Sequence, residues 1–344
     1  MANYYIEKLN DNNAAKWEEF NNNSNEGSFF HSLKWKQIFE NTSNLKTHYF
    51  LLFKNNTIFG IFPFVEKKIH MFNGLVPLQG FGHYNAIIRD YRDNSAIQYF
   101  ITELQRNNEN QKINSFICLS TLHKEIIDNL KNFITFPFGG DGNMILNLQK
   151  SPPEKIWENF SAKKGQRKFI RRFDEKGYSI TEISSHEEMK LFYRYYEENI
   201  NYIGGSLQPF SHFTDLWNNL FSEEMRITIL SKDSLIAGGL LMFIYKPQKV
   251  VYLNYLSLNR DLPNTYHPTY SLFWEAINWA WNHNYEKISF GPQYFDEKNP
   301  RYRIKNEFGG EFEPIFSKMI PLNKFLRLGY WAKQSINNNK HLFN

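Results

Sequence analysis

The chain has 344 residues, of which 42% are hydrophobic, 22% charged and 17% aromatic, with 32 Phe and 20 Tyr. That length exceeds one ordinary domain, and that balance excludes a disordered or fibrous chain. A net charge of +5 is too small to argue for nucleic acid by its sum, so its distribution matters more.

No basic start followed by an apolar stretch opens the sequence, and no uninterrupted apolar run reaches membrane-spanning length. Neither a signal peptide nor a transmembrane segment is therefore expected. The single cysteine, Cys118, lies in the apolar run INSFICL. It has no partner for a disulfide or a zinc site and is expected to be a buried strand residue. These readings together predict a cytoplasmic protein.

In chain order, Ser28 or Ser32 can cap a helix whose core face carries Trp35, Ile38 and Phe39, with Lys34 and Lys36 flanking the Trp. Strands are predicted at 47–53 and 57–65, joined by Lys54, Asn55 and Asn56 in a hairpin-like turn. A helix at about 94–109, a strand at 113–119 and a helix near 122–131 follow. Two prolines, Pro152 and Pro153, break the pattern near residue 150. A helix at about 154–174 is predicted to link the two halves. Helices at about 185–202 and 211–222 precede strands at 226–231, 235–245 and 249–258. A helix from Pro268 to His283 then leads into a strand at 286–291.

Each half thus reads as an antiparallel meander, a crossover helix and a further strand. That order predicts an α/β (α+β) chain of two similar halves, each a mixed, mostly antiparallel sheet flanked by helices. The expected domains are residues 1–150 and 151–320, with a C-terminal tail at 321–344. In the tail, Phe325, Leu326 and Leu328 are expected to dock on the protein, with the last residues mobile. Lys324 and Arg327 beside them leave peripheral membrane contact open.

Three stretches carry candidate chemistry. AKKGQRKFIRRFDEKG (162–177) puts Lys163, Arg167 and Arg171 four apart, and likewise Lys164, Lys168 and Arg172. Cations crowded on one helical face gain most from an anion, and phosphate suits both Arg and Lys. The simpler alternative is a solvated charged face. In the second stretch, 289–312, a strand ends at Gly291 and a basic segment follows, with Arg301, Arg303 and Lys305 alternating with Tyr302 and Ile304. Loops at the C-terminal ends of strands are where α/β sheets place ligands. The alternative is a basic surface loop. The third stretch is the early helix with Lys36, where core packing explains the rings equally well. Tyr252 and Tyr255 on the strand at 249–258 can line a cleft or donate protons, although Tyr is common in strands. No phosphate-loop, dinucleotide or zinc pattern appears, and the histidines are scattered, so no metal is expected.

Four stretches, taken in order, resemble the FemAB-like transferases. SFFHSLKWKQIF is similar to that family's early aromatic segment with its Trp. GQRKFIRRFDEKGYSI resembles its basic helix, matched by Arg167, Ile170, Arg171 and Gly177. Residues 234–257 are similar to its central hairpin, and Phe290, Gly291, Lys305 and Gly309 match its ending. The resemblance spans roughly residues 25–320. It implies two GNAT-like halves and transfer of an acyl or aminoacyl group onto an amine. The implied donor is an aminoacyl-tRNA or an acyl-CoA, with no tightly bound cofactor. The implied acceptor is a phosphate-bearing small molecule or a lipid-linked precursor. Lys36, Arg167, Arg171, Tyr252 and Arg303 become candidate substrate-binding residues, and Lys305 and Tyr255 candidate catalytic ones. The segment after the strand at 249–258, NRDLPNTYHPTY, has no glycine where a CoA pyrophosphate would approach the backbone, so weak acetyl-CoA binding is expected. Two alternatives stand beside this reading: an acyl-CoA-dependent N-acyltransferase of an amino sugar or small amine, and a non-catalytic RNA-binding protein.

Overall fold

The structure is a computed structural model that describes residues 2–69, 72–78, 84–111, 115–137, 141–160, 165–263, 265–323 and 326. Lys163, Lys164, Asn264 and the tail residues Lys324, Phe325, Arg327 and Leu328 lie outside these. The chain divides into two compact units. One holds Met1–Lys36, Ser43–Gly142 and Pro314–Asn344; the other holds Gln37–Thr42 and Asn143–Glu313.

The first unit opens with β1 (Tyr4–Lys8), α1 (Ala14–Asn23) and α2 (Leu33–Thr42), of which Gln37–Thr42 count with the second unit. Then come β2 (Thr47–Lys54), β3 (Thr57–Ile69), β4 (Phe72–Pro77) and the short β5 (Ile87–Ile88). The elements α3 (Asn94–Gln111), β6 (Phe116–Thr121), α4 (Lys124–Asp128) and β7 (Phe136–Pro137) complete the run. Neighbouring strands among β1 to β4 pair antiparallel, and α3 then crosses over so that β6 lies parallel to β4, with Gly74 opposite Phe116 and Leu75 opposite Ile117. Asn55 and Asn56 take φ of 50° and 65°, the left-handed pair that a tight two-residue hairpin requires and that Asn tolerates. The core of this sheet is aromatic: Phe62 stacks on Phe100 with ring centroids 3.9 Å apart. Cys118 is fully buried on β6, and burial pushes its thiol pKa up, as suits an inert strand residue.

The second unit comprises β8 (Asp141–Asn147), α5 (Pro153–Asn159), α6 (Gln166–Glu175), β9 (Ser179–Glu182), α7 (His186–Ile203) and α8 (Phe210–Leu220). It continues with β10 (Met225–Lys232), β11 (Leu235–Tyr245), β12 (Val250–Leu258), α9 (Pro268–Asn282), β13 (Lys287–Tyr294), α10 (Pro300–Glu307) and β14 (Glu311–Pro314). Its strand order is β14-β8-β13-β12-β11-β10-β9. Here β9 to β12 form the antiparallel meander, α9 is the crossover and β13 runs parallel to β12. The two units thus share one plan: two mixed, mostly antiparallel sheets flanked by helices. The last strand, β15 (Phe316–Pro321), returns to the first sheet and pairs with β6, with Met319 opposite Cys118.

Two local expectations change. The predicted single helix at 154–174 is two helices, because α5 ends at Phe160 in an extended conformation and α6 starts from Gly165 at φ 79°. A side chain is strained there, so the glycine marks the break. The basic stretch after β13 is not a loop. Pro300 at the first helical turn and Asn299, whose side chain accepts from the Arg301 N–H at 2.9 Å, start α10. On a helix the alternation of cations loses its meaning: Arg301 and Lys305 fall four apart on one face, and Arg303 points elsewhere, exposed.

Candidate active site

Among the described residues, the sheet of the second unit opens between β12 and β13. The parallel ladder between β12 and β13 runs from Val250 opposite Lys287 to Tyr252 opposite Ser289, and stops. Both strands continue, to Leu258 and Tyr294. The cause is in the sequence of β13. Gly291 takes φ 79°, which bends the strand, and Pro292 after it has no N–H to donate to a ladder. On the facing strand, Leu253 and Tyr255 pair with the adjacent residues Met242 and Leu241, so Asn254 is the extra residue of a β-bulge. Asn254 is buried, its amide making no well-formed hydrogen bond and acting only weakly on the Tyr255 hydroxyl next to it. An unpaired strand edge beside an orphaned amide is a costly arrangement that functional sites retain.

Cations gather beside this opening. Lys305 of α10 donates to the Pro292 carbonyl at 3.2 Å. Burial, and secondly Arg301 one turn earlier, lower its pKa to about 8. Arg260, just past β12, donates through Nε to Asn199 Oδ1 at 2.9 Å and lies 4.5 Å from the ring of exposed Tyr202. Burial lowers its pKa; Tyr202 partly offsets that, and Arg301 adds to the lowering. Arg301 thus opposes the charge on both Lys305 and Arg260, and cations set together in this way suit an anion.

Tyr252 is buried at the last rung of the ladder. Tyr255, also on β12, meets His212 Nε2 at 2.9 Å. Thr42 gives its hydroxyl proton to the Ile38 carbonyl at 2.8 Å, so at 3.2 Å it accepts from His212 Nδ1. His212 Nε2 is then the acceptor, and the Tyr255 hydroxyl donates to it. Burial lowers the His212 pKa to about 4 and raises that of Tyr255, so both stay neutral.

The remaining expected residues have other contacts. Arg167 donates from Nε to the Trp157 carbonyl and from Nη2 to the Glu158 carbonyl, both at 3.0 Å, and so caps the end of α5. Arg171 is exposed, 5.2 Å from the Trp157 ring. Arg303 is exposed on α10. Lys36 belongs to the first unit, with its Nζ 5.4 Å from the Tyr49 ring. The sequence reading missed Asn254, Arg260 and Pro292, and took Gly291 as the end of a strand that in fact runs on to Tyr294. The Gly-Pro pair inside an apolar strand was the available signal. The bulge at Asn254 had none, because it depends on registry with β11.

Residues 161–299 match the family model described as an acetyltransferase (GNAT) domain. The chain has a FemAB-like tandem GNAT fold. Among solved structures it is similar to FemX, with 13% identity over 93% of this chain and 98% of that one, at a TM-score of 0.71. It is also similar to a tandem GNAT protein from the clavulanic acid biosynthesis pathway, with 8% identity over 93% and 99% of the two chains and a TM-score of 0.59. A third is the C-terminal domain of a putative lysylphosphatidylglycerol synthetase from Agrobacterium fabrum, at 10% identity, 77% and 81% coverage and a TM-score of 0.51. No curated protein matches by sequence. The GNAT match places residues 161–299, which include the parted strands β12 and β13, in an acyltransferase domain. Among the described residues no helix is long and apolar enough to cross a membrane, and no cluster of side chains is arranged to hold a metal ion.

Proposed function

We infer that this GNAT-fold acyltransferase forms an amide on an amine of a phosphate-bearing cell-envelope or nucleotide-sugar precursor, with an aminoacyl group as the preferred cargo. The observation that carries this reading is the opening between β12 and β13 with Lys305 at the Pro292 carbonyl. A neutral amine attacks the carbonyl carbon of the donor ester or thioester. A C–N bond forms, negative charge moves to the carbonyl oxygen, and the C–O or C–S bond then breaks as the leaving group takes up the amine's proton. Main-chain N–H groups on an unpaired strand edge, together with the Lys305 cation, suit the developing oxyanion and leaving group. Tyr252 lines the last rung. Tyr255 has its proton on His212, so its part here is to hold β12 in place. Arg303 faces solvent; Arg171 and Arg167 are proposed to meet acceptor phosphates, Arg171 with more donors left for the task than Arg167, and Lys36 is proposed as a phosphate contact of the first unit by itself.

The name of the third structural neighbour joins an aminoacyl group, lysyl, to a phospholipid headgroup, which supports an aminoacyl donor and a phosphate-bearing acceptor. A second reading, acyl-CoA-dependent acylation of an amino sugar or small amine, is favoured by the acetyltransferase match itself. Against it, α9 opens on His267 and Pro268 with no side-chain cap and no glycine for close pyrophosphate approach. The test is to offer acetyl-CoA and charged tRNA in parallel, each with UDP-linked and lipid-linked amine acceptors, and to look for the amide by mass spectrometry. Amide formation from charged tRNA, lost in Lys305→Met, is expected. Product from acetyl-CoA alone puts the second reading first. No amide from either donor overturns the transferase reading.

A further inference from the structure

Two arginines of the second unit are fixed in place, and in opposite ways. Arg226 on β10 is buried between two carboxylates, Glu182 and Glu275, each at 2.8 Å. Burial works against its charge, but the two acids outweigh burial, and its pKa is raised. An arginine that serves the fold is held in this manner. Arg260 is held by neutral groups instead. Its Nε and Nη2 both donate to Asn199 Oδ1, the former at 2.9 Å. The centroid of the Tyr202 ring lies 4.5 Å from its guanidinium carbon. Asn199 and Tyr202 stand three apart on α7 and so share a face, the first meeting the edge of the guanidinium and the second its plane.

Asn199 is itself locked. It is 4% exposed, and its Nδ2 donates at 2.8 Å to the carbonyl of Leu256, on the part of β12 beyond the last rung shared with β13. With its amide nitrogen committed there, its oxygen must face a donor, which Arg260 supplies. The guanidinium keeps its Nη1 edge for a ligand. Arg301, exposed in the first turn of α10, is near enough to oppose the Arg260 charge. Among the described residues no carboxylate forms an ion pair with either arginine, that of Asp261 next in the chain included. The residues of this unit outside the described ones are Ser161, Ala162, Lys163, Lys164 and Asn264, none of which carries a carboxylate.

A cation fixed in advance, without a counter-charge and beside a second cation, gains most from an anion, because the fold has already ordered the side chain. A phosphate suits the pair better than a carboxylate does. It offers three acceptor oxygens and up to about two negative charges, enough for two guanidinium groups, whereas one arginine satisfies a carboxylate.

We propose that Arg260 and Arg301 bind a phosphate group, with Asn199 and Tyr202 as positioning residues that hold Arg260 ready for it. Arg260 follows β12, and Arg301 precedes Lys305 by one turn of α10. Resting on the transferase reading, this phosphate belongs to the substrate that reacts at the opening between β12 and β13.

The test reads the Arg260 Nε–H resonance of the full chain, labelled with ¹⁵N-arginine and assigned by its loss in Arg260→Lys. Inorganic pyrophosphate at physiological salt should shift it saturably. Arg301→Ala, an exposed change, should weaken that response about tenfold or more, and Lys168→Ala on α6 should leave it as it is. Tyr202→Ala should weaken it about two- to fivefold and Tyr202→Phe, which keeps the ring, should not, with one melting temperature for both. Asn199→Asp gives Arg260 the counter-charge it lacks and should weaken pyrophosphate about tenfold or more; should it fail to fold, Arg301→Ala and the Tyr202 pair decide. Uridine diphosphate and dihexanoyl phosphatidylglycerol below its micelle concentration, offered separately, tell a nucleotide source from a lipid one by which shifts the same resonance. No saturable shift with pyrophosphate, or the same affinity in Arg301→Ala, overturns the proposal. Binding is read without turnover: a protein that binds pyrophosphate here and forms no amide keeps this site and loses the transferase reading, and one that forms amide with no response at Arg260 loses only this site.

Discussion

Lys305 should titrate near pH 8, and this can be measured without knowing the substrate. Its pKa is lowered to about 8 chiefly by burial and secondly by Arg301. An ordinary lysine titrates near 10.4. Only the neutral amine is a nucleophile, so at pH 8 about half of Lys305 can react, against roughly 0.4% of an ordinary lysine, a ratio of roughly a hundredfold. Competitive labelling with trace acetic anhydride, read by mass spectrometry from pH 6 to 11 against a free-lysine standard, gives the midpoint independently of access. Arg301→Ala should move that midpoint upward, because a nearby cation no longer opposes the charge. The functional consequence has a definite sign. If the Lys305 cation stabilises developing negative charge, kcat/KM falls as pH rises through about 8, and Lys305→Arg, which keeps its charge, loses that descending limb. Lys305→Met should lower kcat/KM by about 10² to 10³. A labelling midpoint in the ordinary lysine range, or an unchanged descending limb in Lys305→Arg, would refute the reasoning.

Two further outcomes test the packing. A Cβ at Gly239 on β11 would stand 2.8 Å from the Phe192 ring of α7 and 2.8 Å from the Thr228 carbonyl, so Gly239→Ala should cost about 1–3 kcal/mol in urea unfolding, and a neutral result would show that α7 can shift. Burial holds His212 at a pKa of about 4 and His31 at about 3, both below the ordinary 6.5. The unfolded chain therefore binds more protons as pH falls below about 6.5; the stability from keeping these rings neutral is full above that value and is lost toward pH 4, about 2 kcal/mol per ring by pH 5. Melting temperatures should drop between pH 7 and 5, and His212→Gln should make the slope shallower; an identical slope counts against a neutral buried His212.

The sequence by itself determined the plan of the sheets. Apolar runs of strand length, the Asn55–Asn56 turn and a helix between each meander and its parallel strand are local signals, set by the chain's own sterics and by which faces must leave water. Lys305 was legible for the same reason: it followed a strand ending in Gly and Pro, and strand ends are where such sheets place ligands. What only the tertiary structure decided depends on registry and burial, which join residues far apart in sequence. Asn254 is an extra residue only relative to β11, and the proton on Tyr255 is assigned only because His212 and Thr42 come to it from other elements. Arg301 and Lys305 share a face only once Asn299 and Pro300 have turned the segment into a helix. Arg260 reads as one more basic residue after a strand; packing against Asn199, 61 positions earlier in the sequence, sets its guanidinium on a neutral amide, and its want of a counter-charge matters because the cost of an unpaired charge exists only where water has been excluded.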